Sequence, residues 1–230
     1  MTVTLVFEGH AKGAVEPVRA EIANLVVAGW TGRDAAALEH HIEELQAIGV
    51  PRPSTVPLFY RMSVDRLMQA ERIQVVGPDT SGEVEPMLVG TSDRLWVTVA
   101  SDHTDRKAEV YSVALSKQLC PKVCGRTAWR YEEVEAHWDK LMLRAWISEG
   151  GKRVLYQEGP AANIRAPRDL ITRYTGGSKH LPAGTVMSCG TFNAIGGIRP
   201  SSRFEMELED PVLNRRITHA YDDEVVPLVS

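Results

Sequence analysis

The segment Phe204-Glu-Met-Glu-Leu-Glu209 alternates apolar and acidic side chains with a period of two. A helix cannot separate such residues into two faces, whereas a pleated strand does so automatically. Similar short runs recur along the chain: residues 1–8, Ile73 to Val76, Glu83 to Val89, Leu95 to Ala100, and a strand pair over 141–157 turning at Glu149-Gly-Gly. The last strand runs from Arg216 to Tyr221 beyond the turn Asp210-Pro-Val-Leu-Asn. Residues 14–27 suit a short helix or a further strand. Helical spacing is clearest over 32–48, where Leu38, Ile42 and Leu45 share a face, Thr31-Gly-Arg-Asp34 resembles a capping box, and Gly49 and Pro51 stop the run. Shorter helices are expected at 64–70, 131–140 and 167–175. Strands thus dominate without regular βαβ alternation, which predicts a β-rich α+β protein and disfavours a Rossmann fold or an eightfold barrel. No Gly/Ser-rich linker divides the 230 residues, so a single domain over 1–230 is expected.

Acid and base are interleaved at a net charge of −4, which leaves no basic footprint for nucleic acid. The apolar runs are far too short for a membrane span, and the N-terminus has no basic, then apolar, leader pattern. Three cysteines (Cys120, Cys124, Cys189) cannot all pair, which points to a reducing, cytoplasmic setting. The Cys120-Pro-Lys-Val-Cys124 spacing lacks the second pair that a zinc site needs. Nucleotide-binding glycine loops and nucleophile elbows are absent from the sequence.

Glu83-Val-Glu85 carries the most chemistry. Two residues apart on a strand, the carboxylates project from one face while Val84 faces the core. Close carboxylates repel, and both ionise readily only with a cation between them. Asp102 follows the Leu95 to Ala100 strand, and three carboxylates converging there suit a hard cation such as Mg²⁺ or Mn²⁺. The competing reading is a solvated strand face. Glu205-Met-Glu207 has the same spacing and, with Glu209, reads as solvent-facing. On the clear helix His40 falls in solvent. His41 lies at the edge of the apolar stripe, with Glu44 at i+3, which suits either a surface pair or an oriented general base.

In this order the motifs resemble the fumarylacetoacetate hydrolase superfamily over roughly residues 28–225. Its His-x-x-Glu helix followed by a Pro-rich loop into Phe-x-Lys is similar to His41-Ile-Glu-Glu44, Pro51-Arg-Pro53 and Phe59-Tyr-Arg61. Its metal signature, Glu-Val-Glu then Asn-Asp-x-Ser-x-Arg-Asp, is similar to Glu83-Val-Glu85 and Ser101-Asp102-His-Thr-Asp-Arg106-Lys. Ser116-Lys117-Gln, Gln157-Glu158-Gly159 and Leu181-Pro-Ala-Gly184 through Gly190-Thr191 parallel its later motifs. Ser101 stands in place of Asn, Ser116 in place of Gly, and Pro86 follows the second Glu, as in a divergent bacterial branch.

The resemblance implies a mixed β-sandwich roll of the type found in the C-terminal domain of that family, assembled as a homodimer. It also implies an Mg²⁺ (or Mn²⁺) site at Glu83, Glu85 and Asp102 and a small 2-oxo acid substrate. His41 and Glu44 would activate water, and Lys117 would stabilise an enolate. Arg61, Arg106, Gln157, Gly190 and Thr191 would contact substrate. The implied reaction is hydrolysis of a C–C bond in an acylpyruvate-like compound. The alternatives are decarboxylation, hydration or isomerisation of a 2-oxo acid at the same site, or a non-catalytic metal- or ligand-binding protein.

Overall fold

A computed structural model describes residues 1–47 and 49–229; within these, the side chain of His41 lies outside the described residues. Two sheets dominate. In the larger, the strands run in the order Ala14–Ile22, Val3–Ala11, Thr127–Arg130, Leu95–Asp102, Val84–Gly90, Thr185–Ser188, Asn24–Gly29 and Leu58–Met62. Lys122–Cys124 pairs with the far end of Leu95–Asp102 and carries Leu67–Met68 on its other edge. The second sheet orders Lys152–Pro160, Met142–Glu149, Arg203–Asp210, Arg215–Val226 and Arg72–Val76. Parallel and antiparallel pairings mix in both. This is the β-rich α+β architecture expected from the alternation.

Period two decides which side chain enters which core. Val84 and Leu88, with Val97 and Val99 from the neighbouring strand, pack against Leu143, Ala145, Phe204, Met206 and Leu208 between the sheets. Their alternates Met87, Val89, Trp96 and Ala100 face the other way. There they join Leu5, Phe7, Leu25, Val27, Met62 and Val186 in a second core formed where the large sheet curls upon itself. Strands Val84–Gly90 and Leu95–Asp102 are therefore buried along their full length, charged residues included.

Several local expectations are revised. Residues 14–27 form strands, and the helix spans Ala35–Ala47 with Asp34 as its cap; Asp34 Oδ1 accepts from the amides of Ala36 (2.9 Å) and Ala37 (3.1 Å). Thr31 is instead buried, and its carbonyl accepts from the Arg165 amide. At 64–70 only a single 3₁₀ turn forms, Val64–Arg66. Two short helices unforeseen in the sequence, Arg106–Glu109 and Val113–Leu119, follow the strand that ends at Asp102. Nor are Glu205, Glu207 and Glu209 a free solvent face. Glu207 is buried, and Arg144, directly opposite it, pairs with Glu207, Glu209 and Glu158, while Arg153 and Arg203 hold Glu205.

Candidate metal centre

Two adjacent strands, Val84–Gly90 and Leu95–Asp102, build the site. Val84 pairs with Ser101, and the Asp102 amide donates to the Glu83 carbonyl at 3.0 Å, so Glu83 stands opposite Asp102. Glu85, two residues on, shares their face. Carboxylate oxygens of Glu83, Glu85 and Asp102 consequently lie within 4.8 Å of one another. Glu85 and Asp102 are buried, while Glu83 is partly open at 17% side-chain exposure, which leaves one approach from outside.

Each carboxylate has its own support. Glu85 Oε2 accepts from the Gly190 amide at 2.9 Å. Gly190 has φ +100, and a Cβ there would meet the Thr31 hydroxyl at 1.8 Å, so no other residue fits. Gln157 accepts from the Val84 amide at 2.9 Å and donates to Thr191 Oγ1 at 2.9 Å and to the Phe192 carbonyl, and Thr191 donates to the Val84 carbonyl at 2.7 Å. Gln157, Gly190 and Thr191, expected at substrate, thus brace the strand that carries Glu83 and Glu85. Arg106 donates to Ser81 and Glu109 and lies 3.1 Å from Glu83 Oε1, and these acids hold its pKa up against burial.

Lys117, on the buried side of the Val113–Leu119 helix, donates to Asp102 Oδ2 and lies 3.8 Å from Glu83 Oε2. Its pKa is raised: burial favours the neutral amine, but Asp102, Glu83 and Glu85 together outweigh it. Burial pushes Asp102 up, yet Lys117 and a second lysine, Lys122, bring it down to about 2. Glu85 is driven well above the usual carboxylate range, first by burial and then by the charges of Asp102 and Glu83, although Lys117 and the Gly190 amide oppose this. That is the electrostatic signature of carboxylates gathered without a cation between them. Among the described residues Asp102 Oδ1 accepts no hydrogen bond, although the Lys122 ammonium lies 3.2 Å away. Three hard oxygen donors gathered within 4.8 Å fit a divalent cation of the Mg²⁺ or Mn²⁺ type.

Other expected residues fall elsewhere. Arg61 donates to Asn24 and Tyr174, on the opposite side of its strand from Tyr60. Tyr60 had not been singled out, but its ring centroid lies 5.9 Å from Lys117 Nζ, and its hydroxyl accepts from Trp30 Nε1 at 3.0 Å. Trp30 itself has φ +60, an uncommon conformation for so bulky a residue. His40 is exposed, as the helical phase required, and its Nε2 lies 3.2 Å from Glu44 Oε1 as an i,i+4 pair. The His41 side chain, the expected base, is outside the described residues. Lys122 and His103 were also missed. The second of these, next to Asp102, is fully buried between Tyr221 (2.9 Å) and Thr80 (2.9 Å).

A family model described as a protein of unknown function, DUF2848, matches residues 28–221. The chain belongs to that family. No curated protein matches it in sequence. Solved structures share its fold at low identity. A 2-keto-3-deoxy-D-arabinonate dehydratase, complexed with magnesium and 2,5-dioxopentanoate, superposes with a TM-score of 0.61 at 15% identity over 89% of this chain and 74% of its own. A yeast fumarylacetoacetate hydrolase family protein gives 0.59 at 17% identity over 89% and 94%. A structure from Oleispira antarctica, assigned as a fumarylacetoacetate isomerase/hydrolase, gives 0.62 at 14% identity over 92% and 96%. The DUF2848 chain therefore has the fumarylacetoacetate hydrolase fold, as its motif order implied.

Proposed function

We propose that this DUF2848 protein is a divalent-metal-dependent enzyme acting on a small 2-oxo acid, cleaving a C–C bond by hydrolysis. The observation that carries the reading is the convergence of Glu83, Glu85 and Asp102 on one face of the buried strand pair, their oxygens within 4.8 Å of one another. A bound Mg²⁺ or Mn²⁺ would supply Lewis-acid polarisation of a substrate's carboxylate and keto oxygens.

The remaining roles belong to the chain. Lys117, charged and fixed by two acids, places a cation where negative charge develops on the substrate. Arg106, 3.1 Å from Glu83 Oε1, orients that carboxylate. The Tyr60 ring lies against Lys117, and the hydrogen bond from Trp30 to its hydroxyl fixes that ring in place. His41 is assigned the proton of the attacking water, with Glu44 on the same helix to orient it.

Dehydration at the same centre is the second reading. It is supported by the dehydratase whose structure holds magnesium and 2,5-dioxopentanoate. The test is a panel of acylpyruvates and 3-deoxy-2-oxo acids assayed with Mg²⁺, Mn²⁺ and chelator. Metal-dependent release of pyruvate from an acylpyruvate is expected. Metal-dependent loss of water without C–C cleavage would move the assignment to the dehydratase, and turnover unaffected by chelator would contradict both.

A further inference from the structure

Lys122 sits in the middle of Cys120-Pro-Lys-Val-Cys124, and its strand register puts it directly opposite Asp102. Residues opposite one another on paired strands share a face. Its ammonium is accordingly 1% exposed and lies 3.2 Å from Asp102 Oδ1, the same oxygen that accepts no hydrogen bond among the described residues. The carbonyls of His103, Lys117 and Cys120 accept its protons. Two of these carbonyls belong to the C-terminal end of the helix bearing Lys117, where a cation is favoured by the helix dipole.

Burying an ammonium is costly, and a methionine or leucine would complete this apolar strand without it. The position of the charge is therefore informative. Asp102 is flanked by two ammoniums, one at each oxygen, so this arm of the triad is already over-neutralised before any divalent cation arrives. A cation bound there is repelled by Lys122, while an anion bound to that cation is attracted by it.

Resting on the metal-site reading above, we infer that Lys122 is a positioning residue that trades metal affinity for anion affinity. It keeps the triad from cancelling the charge of its cation, so that the loaded centre stays electropositive toward a chelating dianion such as a 2-oxo dicarboxylate. Lys117 remains the cation closest to the reacting groups, and Lys122 acts through Asp102.

Titration of Mn²⁺ by electron paramagnetic resonance, followed by titration of oxalate into the Mn²⁺-loaded protein, separates this role from a structural one. In Lys122→Met, Mn²⁺ alone should bind about tenfold or more tightly than in wild type, and oxalate should bind the loaded protein about tenfold or more weakly. These figures follow from one unit charge at short range in a poorly screened site. Lys122→Arg, which keeps the charge, should restore both constants toward wild type. If Lys122→Met does not fold, Lys122→Gln, which retains a donor for the carbonyls, should show the same opposed shifts. Loss of packing alone would weaken both ligands together. Mn²⁺ affinity unchanged or weakened in the neutral variants, or oxalate affinity that does not fall, overturns the inference while leaving the metal site standing. A wild-type protein that holds no Mn²⁺ even with oxalate overturns the site and this inference with it.

Discussion

Asp223 shows how strongly burial acts on single residues near this site. Its side chain is 4% exposed, Oδ1 has no donor among the described residues, and Oδ2 lies 3.5 Å from His103 Nε2. Burial first, and the neighbouring Asp222 second, push its carboxyl up to about 7, while burial, Lys122 and Arg106 bring the His103 imidazole down to about 3. The folded protein therefore keeps a proton on Asp223 that the unfolded chain releases near pH 4. Stability from the protonated carboxyl is full below about pH 4 and is lost as the pH rises through 7. Asp223→Asn cannot ionise and should escape that loss. Melting measured in chelator should give near-equal stability at pH 4 and an advantage to the variant that grows to a plateau above pH 7, on the order of 2–4 kcal/mol. A constant difference across that range would contradict the assignment. At this scale the sequence revealed Glu83, Glu85, Asp102 and Lys117 through spacing and motif order. Lys122 is not legible, because a lysine between Cys-Pro and Val-Cys carries no motif and only the strand register sets it opposite Asp102. Gln157, Gly190 and Thr191 are legible as site residues through the motif order. Only the strand packing shows that their hydrogen bonds hold Val84 and Glu85 in place.

Among the elements, strands were legible, as were the short helices over 131–140 and 167–175, but the two helices after Asp102 were not. Alternation survives in Met142–Glu149 and Arg203–Asp210, each with one face in the core. Val113–Leu119 was invisible because its buried face is Ser116 and Lys117, while Leu115 and Leu119 are exposed, the inverse of an amphipathic core helix. The Ala35–Ala47 helix was legible through Leu38, Ile42 and Leu45, and its phase makes a prediction. His41→Ala should lower turnover of a 2-oxo acid by about 10²–10⁴-fold, the usual cost of removing a general base, with Mn²⁺ affinity preserved. His40→Ala removes an exposed i,i+4 pair with Glu44 and should behave as wild type in both assays. Equal losses at the two positions would contradict the phase assignment, and full activity in His41→Ala would favour the dehydratase reading.

For the whole molecule, two stacked sheets with the larger one curled upon itself place the carboxylates in the inner core rather than on a surface. No helix among the described residues is long and apolar enough to cross a membrane. We propose a homodimer, on the family resemblance, and light scattering at micromolar concentration should then give about twice the 25.4 kDa chain mass. A clean monomer would count against that assembly without touching the site. The central claim is that Glu83, Glu85 and Asp102 hold one divalent cation, and Mn²⁺ binding followed by electron paramagnetic resonance tests it most directly. Wild-type protein with saturating oxalate should bind one Mn²⁺ per chain, and Glu85→Gln, folded by circular dichroism, should bind it at least about 100-fold more weakly because only two carboxylates remain. Equal Mn²⁺ binding by wild type and Glu85→Gln, or none by wild type, would contradict it.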